Sequence, residues 1–117
     1  MTSKVQTPLG DLFIDDQVIA RIVCRTTMES YGIVGLAAQS PKDQLYHLLG
    51  MDNMTRGVKV YCTGEQSVWI QIHVIMDSGV RLATVVSNVI DSVRYNVETK
   101  TGLHVDSVDV IVQGLRA

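Results

Sequence analysis

Aromatic side chains are scarce in this chain of 117 residues, which has one Phe and one Trp. Any core must therefore be aliphatic. Cysteine is nearly absent: Cys24 and Cys62 stand far apart and in no metal-ligand spacing, which argues against a disulfide framework and fits a reduced, cytoplasmic setting. No run approaches the ~18 apolar residues of a membrane span, and the amino terminus has no signal-peptide pattern. The expected location is cytoplasmic, with any membrane association made through a partner. Neither sign of charge dominates. A formal net charge of −2 and a pI near 5.8 supply no basic field for nucleic acid or anionic lipid, and leave little long-range repulsion against self-association. Phosphate-loop, nucleophile-elbow and dinucleotide signatures are missing as well. At this length one domain is expected over residues 1–117, ordered from about residue 9 to about residue 115.

What is present is a strand, helix and strand over residues 67–113. In SVWIQIHVIM, residues 67–76, alternation puts Val68, Ile70, Ile72, Val74 and Met76 on one wholly apolar face. Trp69, Gln71, His73 and Ile75 fall on the other. Asp77, Ser78 and Gly79 offer turn and N-cap chemistry. From Val80 the period changes to 3.6: Leu82, Val86, Val89, Ile90, Val93 and Val97, widened by Ala83 and Val85, form one stripe of a helix. Its many β-branched residues mean that packing, not intrinsic propensity, must hold it. Gly102 suits a left-handed C-cap with Leu103 closing the contact beyond it. In the last strand Val108, Val110 and Val112 alternate with Ser107, Asp109 and Ile111.

The preceding residues read as a lid on that unit. Residues 1–7 resemble a frayed end, and 11–14 a short strand. Asp15 or Asp16 caps a helix with Val18, Ile19, Ile22, Val23 and Thr26 on its stripe, ending at Gly32. Ser40, Pro41 and Asp43 open a second, short helix through Leu45, Leu48 and Leu49. Residues 51–56 form a loop. Residues 57–62 form a strand, turned back at Gly64, Glu65 and Gln66 onto the strand that begins at Ser67.

Little of this carries chemistry. The aspartate pair at 15 and 16 is explained by capping. His47, His73 and His104 are dispersed and lack a fourth ligand, so they read as structural or surface histidines, and no metal or cofactor is expected. Cys24 lies off its helix stripe, and neither cysteine has a base beside it in sequence. Gly32, Ile33, Val34 and Gly35 match the GxxG loop of KH-type nucleic-acid modules, the runner-up reading, but in a setting without basic residues. A small enzyme is the third class, with no catalytic residue to name.

The order of motifs resembles the alkaline shock protein family of envelope stress response proteins of Gram-positive bacteria. Residues 12–20 are similar to that family's opening strand and capped helix, and residues 31–35 to its glycine turn. Gly57, Val58, Lys59 and Val60 are similar to its GVKV strand, and Gly79 with Val80 to its strand-to-helix turn. Its helix-to-strand ending is matched by Val93, Val97, Glu98, Thr101, Gly102, Leu103, Val105, Val108, Val110 and Val112. Asn88 stands where the family often has glutamine, and Asp77 with Ser78 replace a more usual acidic and aromatic pair. The resemblance implies a cytoplasmic, non-enzymatic protein that self-associates and is recruited under the envelope by a membrane-anchored partner.

The expected fold is an α/β two-layer sandwich with element order βααββαβ. A mixed sheet of three to four strands carries its helices on one face. The strands beginning at Ser67 and Val105 run the same way, either as neighbours or flanking the strand at Asp11. Tyr61, Trp69, His73, Ile75 and Ile111 should share the sheet face away from the helices. Among Gln71, Thr63 and Gln113 they form a surface too apolar for plain solvation and too polar for a second core, with the mixed composition of an interface. Trp69 is its expected anchor.

Overall fold

The computed structural model describes residues 2–37 and 57–117, leaving aside the side chain of Thr2. The short helix expected after Ser40 and the loop at 51–56 lie outside the described residues. Among these the elements are β1 (Thr2–Thr7), β2 (Gly10–Asp15), α1 (Asp16–Met28), β3 (Ile33–Leu36), β4 (Val58–Gly64), β5 (Ser67–Asp77), α2 (Leu82–Thr101) and β6 (His104–Arg116).

The β5 strand is the axis of a mixed sheet. On one edge it pairs in parallel with β6, joined through α2, so the two strands are direct neighbours and the split arrangement is excluded. On its other edge lie two antiparallel partners end to end. The β4 strand runs beside residues 67–72 and β3 beside residues 74–76. Between them the backbone ladder is nearly unbroken: Ala37 N–H donates to the His73 carbonyl at 2.9 Å, and His73 N–H to the Gly57 carbonyl at 2.8 Å. One edge strand thus opens after Ala37 and resumes at Gly57.

The apolar face of β5 is core. Val68, Ile70, Ile72, Val74 and Met76 are each 0% exposed, packed under α2. That helix buries Val85, Val89, Val93, Val97 and Thr101, a straight row at a spacing of four. Leu82 and Ala83 stay outside it. The helix starts at Leu82, two residues later than expected. Its N-cap is Arg81, without a side-chain cap, because Asp77 Oδ1 is engaged by Gly79 N–H at 2.8 Å in the turn before it. At the far end Gly102 takes the left-handed conformation, φ 78°, its N–H donating to the Glu98 carbonyl, and Leu103 is buried.

Several expectations need correction. Residues 2–7 are not frayed: they pair with β2 from Thr2↔Asp15 to Thr7↔Gly10. This hairpin is a separate two-stranded sheet, so the strand at Asp11 is no part of the main one. Its inner face is held by Ser3 and Ile14, both buried, and by Val5 against the core. Among the described residues the order is ββαβββαβ. The α1 helix ends at Met28 rather than Gly32, and Asp15 is its cap, accepting from Gln17 N–H at 2.8 Å. Because α1 packs against both α2 and the β3/β4 edge, its buried arc takes in Ala20, Cys24 and Thr27. Cys24, expected off the stripe, is in the core, while Val18 is exposed. The GxxG residues form no loop: Ile33–Leu36 is a strand on β5.

Two substitutions probe this frame. Ile72→Asp puts an unpaired carboxylate under α2 and should cost roughly 4 kcal/mol or more, enough to abolish cooperative melting. Gly57→Ala tests the junction of the split edge. A Cβ there would meet Leu36 Cβ at 2.9 Å and the Ala37 and His73 carbonyl oxygens at 3.0 and 3.1 Å. Its expected cost is about 1–3 kcal/mol in chemical denaturation. Unchanged unfolding midpoints would overturn the respective assignments.

Candidate functional site: the open sheet face

Burying one side of β5 under the helices obliges the alternate residues to face the other way. Register then fixes their neighbours. Tyr61 pairs with Trp69, Lys59 with Gln71 and Gln71 with Asp109, and His73 with Ile111. Tyr61, Trp69, His73, Ile75 and Ile111 therefore share one face. Tyr61 is 41% exposed and the other four are half-buried.

Side chains on this face are braced by one another. The Tyr61 and Trp69 rings stack with centroids 4.8 Å apart and planes at 27°. Trp69 Nε1 donates to Asp109 Oδ2 at 2.7 Å. His73 Nδ1 accepts from Gln113 Nε2 at 2.8 Å, while Nε2 faces Gln71 Oε1 at 3.4 Å, which places the imidazole proton on Nε2. Ile75 stands between glycines: Gly35 is its partner on β3 and Gly114 on β6. A Cβ at Gly35 would meet nothing within 4 Å. The apolar side chain thus rises from low ground on both sides, the setting in which a second surface can approach closely. Gly35, Gly114 and the tryptophan's acceptor Asp109 were not among the expected site residues. The glycines carry no side-chain signal, and Asp109 joins Trp69 only once parallel register is known.

Among the described residues no strand pairs with the outer edge of β6, yet that edge is less inviting. Its pairing with β5 slips at Asp106 and again at Gln113, and the strand carries exposed charge at Asp106 and Asp109. Bulges and charge of this kind discourage strand addition. Asp106 also accepts from Thr63 Oγ1 and faces His104 Nε2 at 3.4 Å. The other nitrogen of that ring faces Glu98 Oε2 at 3.3 Å. Glu98 in turn accepts from Val105 N–H, clasping the end of α2 to the start of β6.

Elsewhere the candidates for chemistry fall apart. His73 and His104 lie on different elements, and His47 is outside the described residues. Among the described residues no group of three or more His, Cys, Asp or Glu could hold a metal ion. A cavity of about 250 Å³ lies where β1 meets the β4–β5 turn, lined by Ser3, Lys4 and Gln66 among others. Cys62 Sγ there is 3.4 Å from Ser3 Oγ.

Burial, and secondarily the charge of Lys59, hold the protonation of His73 below the ordinary value of 6.5. The folded state then binds this proton less tightly than the unfolded state. Its contribution to stability is complete above pH 6.5 and is lost as pH falls through and below that value. Thermal midpoints measured from about pH 7 to about pH 5 should fall more steeply for the native chain than for His73→Gln. Equal slopes would exclude His73 as the cause.

A family model described as the alkaline shock protein 23 family, with cell envelope-related function, matches residues 4–117. The YloU protein of Bacillus subtilis (strain 168) is 38% identical over 117 residues, covering 99% of this chain and 97% of that protein. Protein Spy1614 of Streptococcus pyogenes serotype M6 is 34% identical over 117 residues, covering 99% and 96%. Among solved structures, a copper form of a MamM CTD variant superposes with a TM-score of 0.52 at 12% identity, covering 88% of this chain and 100% of its own. A nickel form of another variant gives 0.51 at 12%, covering 86% and 99%. At that identity the likeness is one of fold alone.

Proposed function

This chain belongs to the alkaline shock protein 23 family, of cell envelope-related function, and on that premise we propose that it is a non-enzymatic interaction protein of envelope stress response and homeostasis. In this reading it is cytoplasmic, associates with itself through the open sheet face, and is held beneath the membrane by a membrane-anchored protein partner. No helix among the described residues is long and apolar enough to cross a membrane, and the partner supplies the anchor.

The observation that supports self-association is the braced aromatic pair on a sheet face that no other described element covers. Stacking on Tyr61 and the bond to Asp109 have already fixed the Trp69 ring, so little rotamer freedom is left to lose on contact. Ile75, between Gly35 and Gly114, offers a second apolar contact point on the same surface. A face-to-face contact also avoids the bulged edge of β6. Large aromatics at the centre of such a contact supply most of its energy.

The test is sedimentation of the purified chain with Trp69→Ala and Tyr61→Ala, singly and together. Each loss of an anchor should weaken association by about 2 kcal/mol, or roughly thirtyfold, while the thermal transition stays cooperative. An unchanged distribution of oligomers in the double variant would sink the reading.

A further inference from the structure

In the helix layer, on the other side of the sheet from the open face, α1 and α2 leave a groove of about 360 Å³. Asn88, Ser92 and Asn96 line it from α2 at a spacing of four, one row beside the buried valines. Thr26, Glu29 and Tyr31 line it from the end of α1 and just beyond. The floor is closed: Asn96 Nδ2 donates to Thr26 Oγ1 at 3.0 Å, and that hydroxyl donates to the Ile22 carbonyl at 2.8 Å. Above the floor, the side chains of Glu29, Tyr31, Asn88 and Ser92 make no hydrogen bond or ion pair among the described residues.

Three features of the groove favour positive charge. Glu29 is its one charged lining residue. It is also the C-cap of α1, where the last carbonyls carry the negative end of the helix dipole. Tyr31, 85% exposed, also lines the groove, and the face of an aromatic ring attracts cations. Asn88, Ser92 and Tyr31 line the same groove as Glu29, and their side-chain oxygens add acceptors that suit the several donors of a guanidinium better than the single point charge of an ammonium. Glu29, Asn88 and Ser92 are exposed, so the walls cannot enclose a free small molecule to the extent that tight binding of one requires. Contacts flanking the cation must supply the remainder. We infer that this groove receives an arginine side chain presented by a basic segment of a partner protein. The inference stands apart from the open-face reading, since the two surfaces lie on opposite layers.

The experiment is an NMR titration of the full isotope-labelled chain with a short, end-blocked peptide of alternating arginine and serine. The same peptide with glutamate for arginine is the control. Amide shifts should concentrate at Glu29, Tyr31, Asn88 and Ser92, with binding that weakens as salt rises. Glu29→Gln should weaken binding about tenfold. Asn88→Arg, which fills the groove with the chain's own guanidinium, should abolish it. Both positions are exposed, and unchanged thermal melting checks that the variants fold. Absence of binding, equal affinity of both variants, equal binding of the acidic control, or shifts centred instead on Asp106 and Asp109 would each overturn the proposal.

Discussion

The structure depends on a single two-sided strand. β5 is hydrogen-bonded on both edges, and its five helix-facing side chains are completely excluded from solvent. A period of two allows no compromise: slipping β5 by one residue against its partners would exchange the valine and isoleucine row for Trp69, Gln71 and His73 under α2. The burial of one row therefore fixes the exposure of the other. The small stripe of α2, built from Val85, Val89, Val93 and Val97, then sets how close the helix can lie.

From that constraint the character of the open face follows. The molecule is 20 Å across its shortest axis, the depth of one helix layer on one sheet. No third layer of described elements covers Tyr61, Trp69 or Ile75. A sheet left with large side chains on its solvent side must either tolerate scattered apolar exposure or organise it. Here it is organised: the indole is clamped by a ring and a carboxylate, and the imidazole by two amides. Leu9 and Phe13 on the hairpin and Tyr95 on α2 are exposed without such bracing. This contrast separates the open face from ordinary surface apolarity.

How much of this was legible in the sequence depended on where period and burial coincide. β5, α2 and β6 have long one-sided patterns, and their existence, type and order and the left-handed Gly102 were readable, with ends to within three residues: β6 runs on to Arg116, past the expected Gln113. The amino-terminal strand was not, since TSKVQT offers only Val5 to the core and is held by its pairing with β2. β3 was hidden because four residues containing a glycine make no periodic signal, and Gly32 with Gly35 imitated a loop motif. Cys24 was misplaced because a helix wedged between a helix and a sheet edge buries a broader arc than one stripe. Of the candidate site, the shared face of Tyr61, Trp69, His73, Ile75 and Ile111 was legible from alternation along the hairpin and along the last strand. Asp109, Gln113 and Gly114 acquire their roles only through the parallel register of β6 on β5, and Gly35 only through the antiparallel pairing of β3, neither of which a local pattern encodes.

The groove on α2 was beyond sequence reading for a related reason. Asn88, Ser92 and Asn96 look like the solvated side of an amphipathic helix, and only the passage of α1 turns them into a wall opposite Glu29 and Tyr31. Their placement has a consequence for assembly. A surface used for self-contact in the sheet layer and one used for a basic partner in the helix layer do not compete for the same atoms. One copy could therefore occupy both at once, and every added copy would bring another groove. A weak single contact at an exposed carboxylate would then gain strength from the number of copies joined through their sheets, because each further engagement is made at the high effective concentration set by the first.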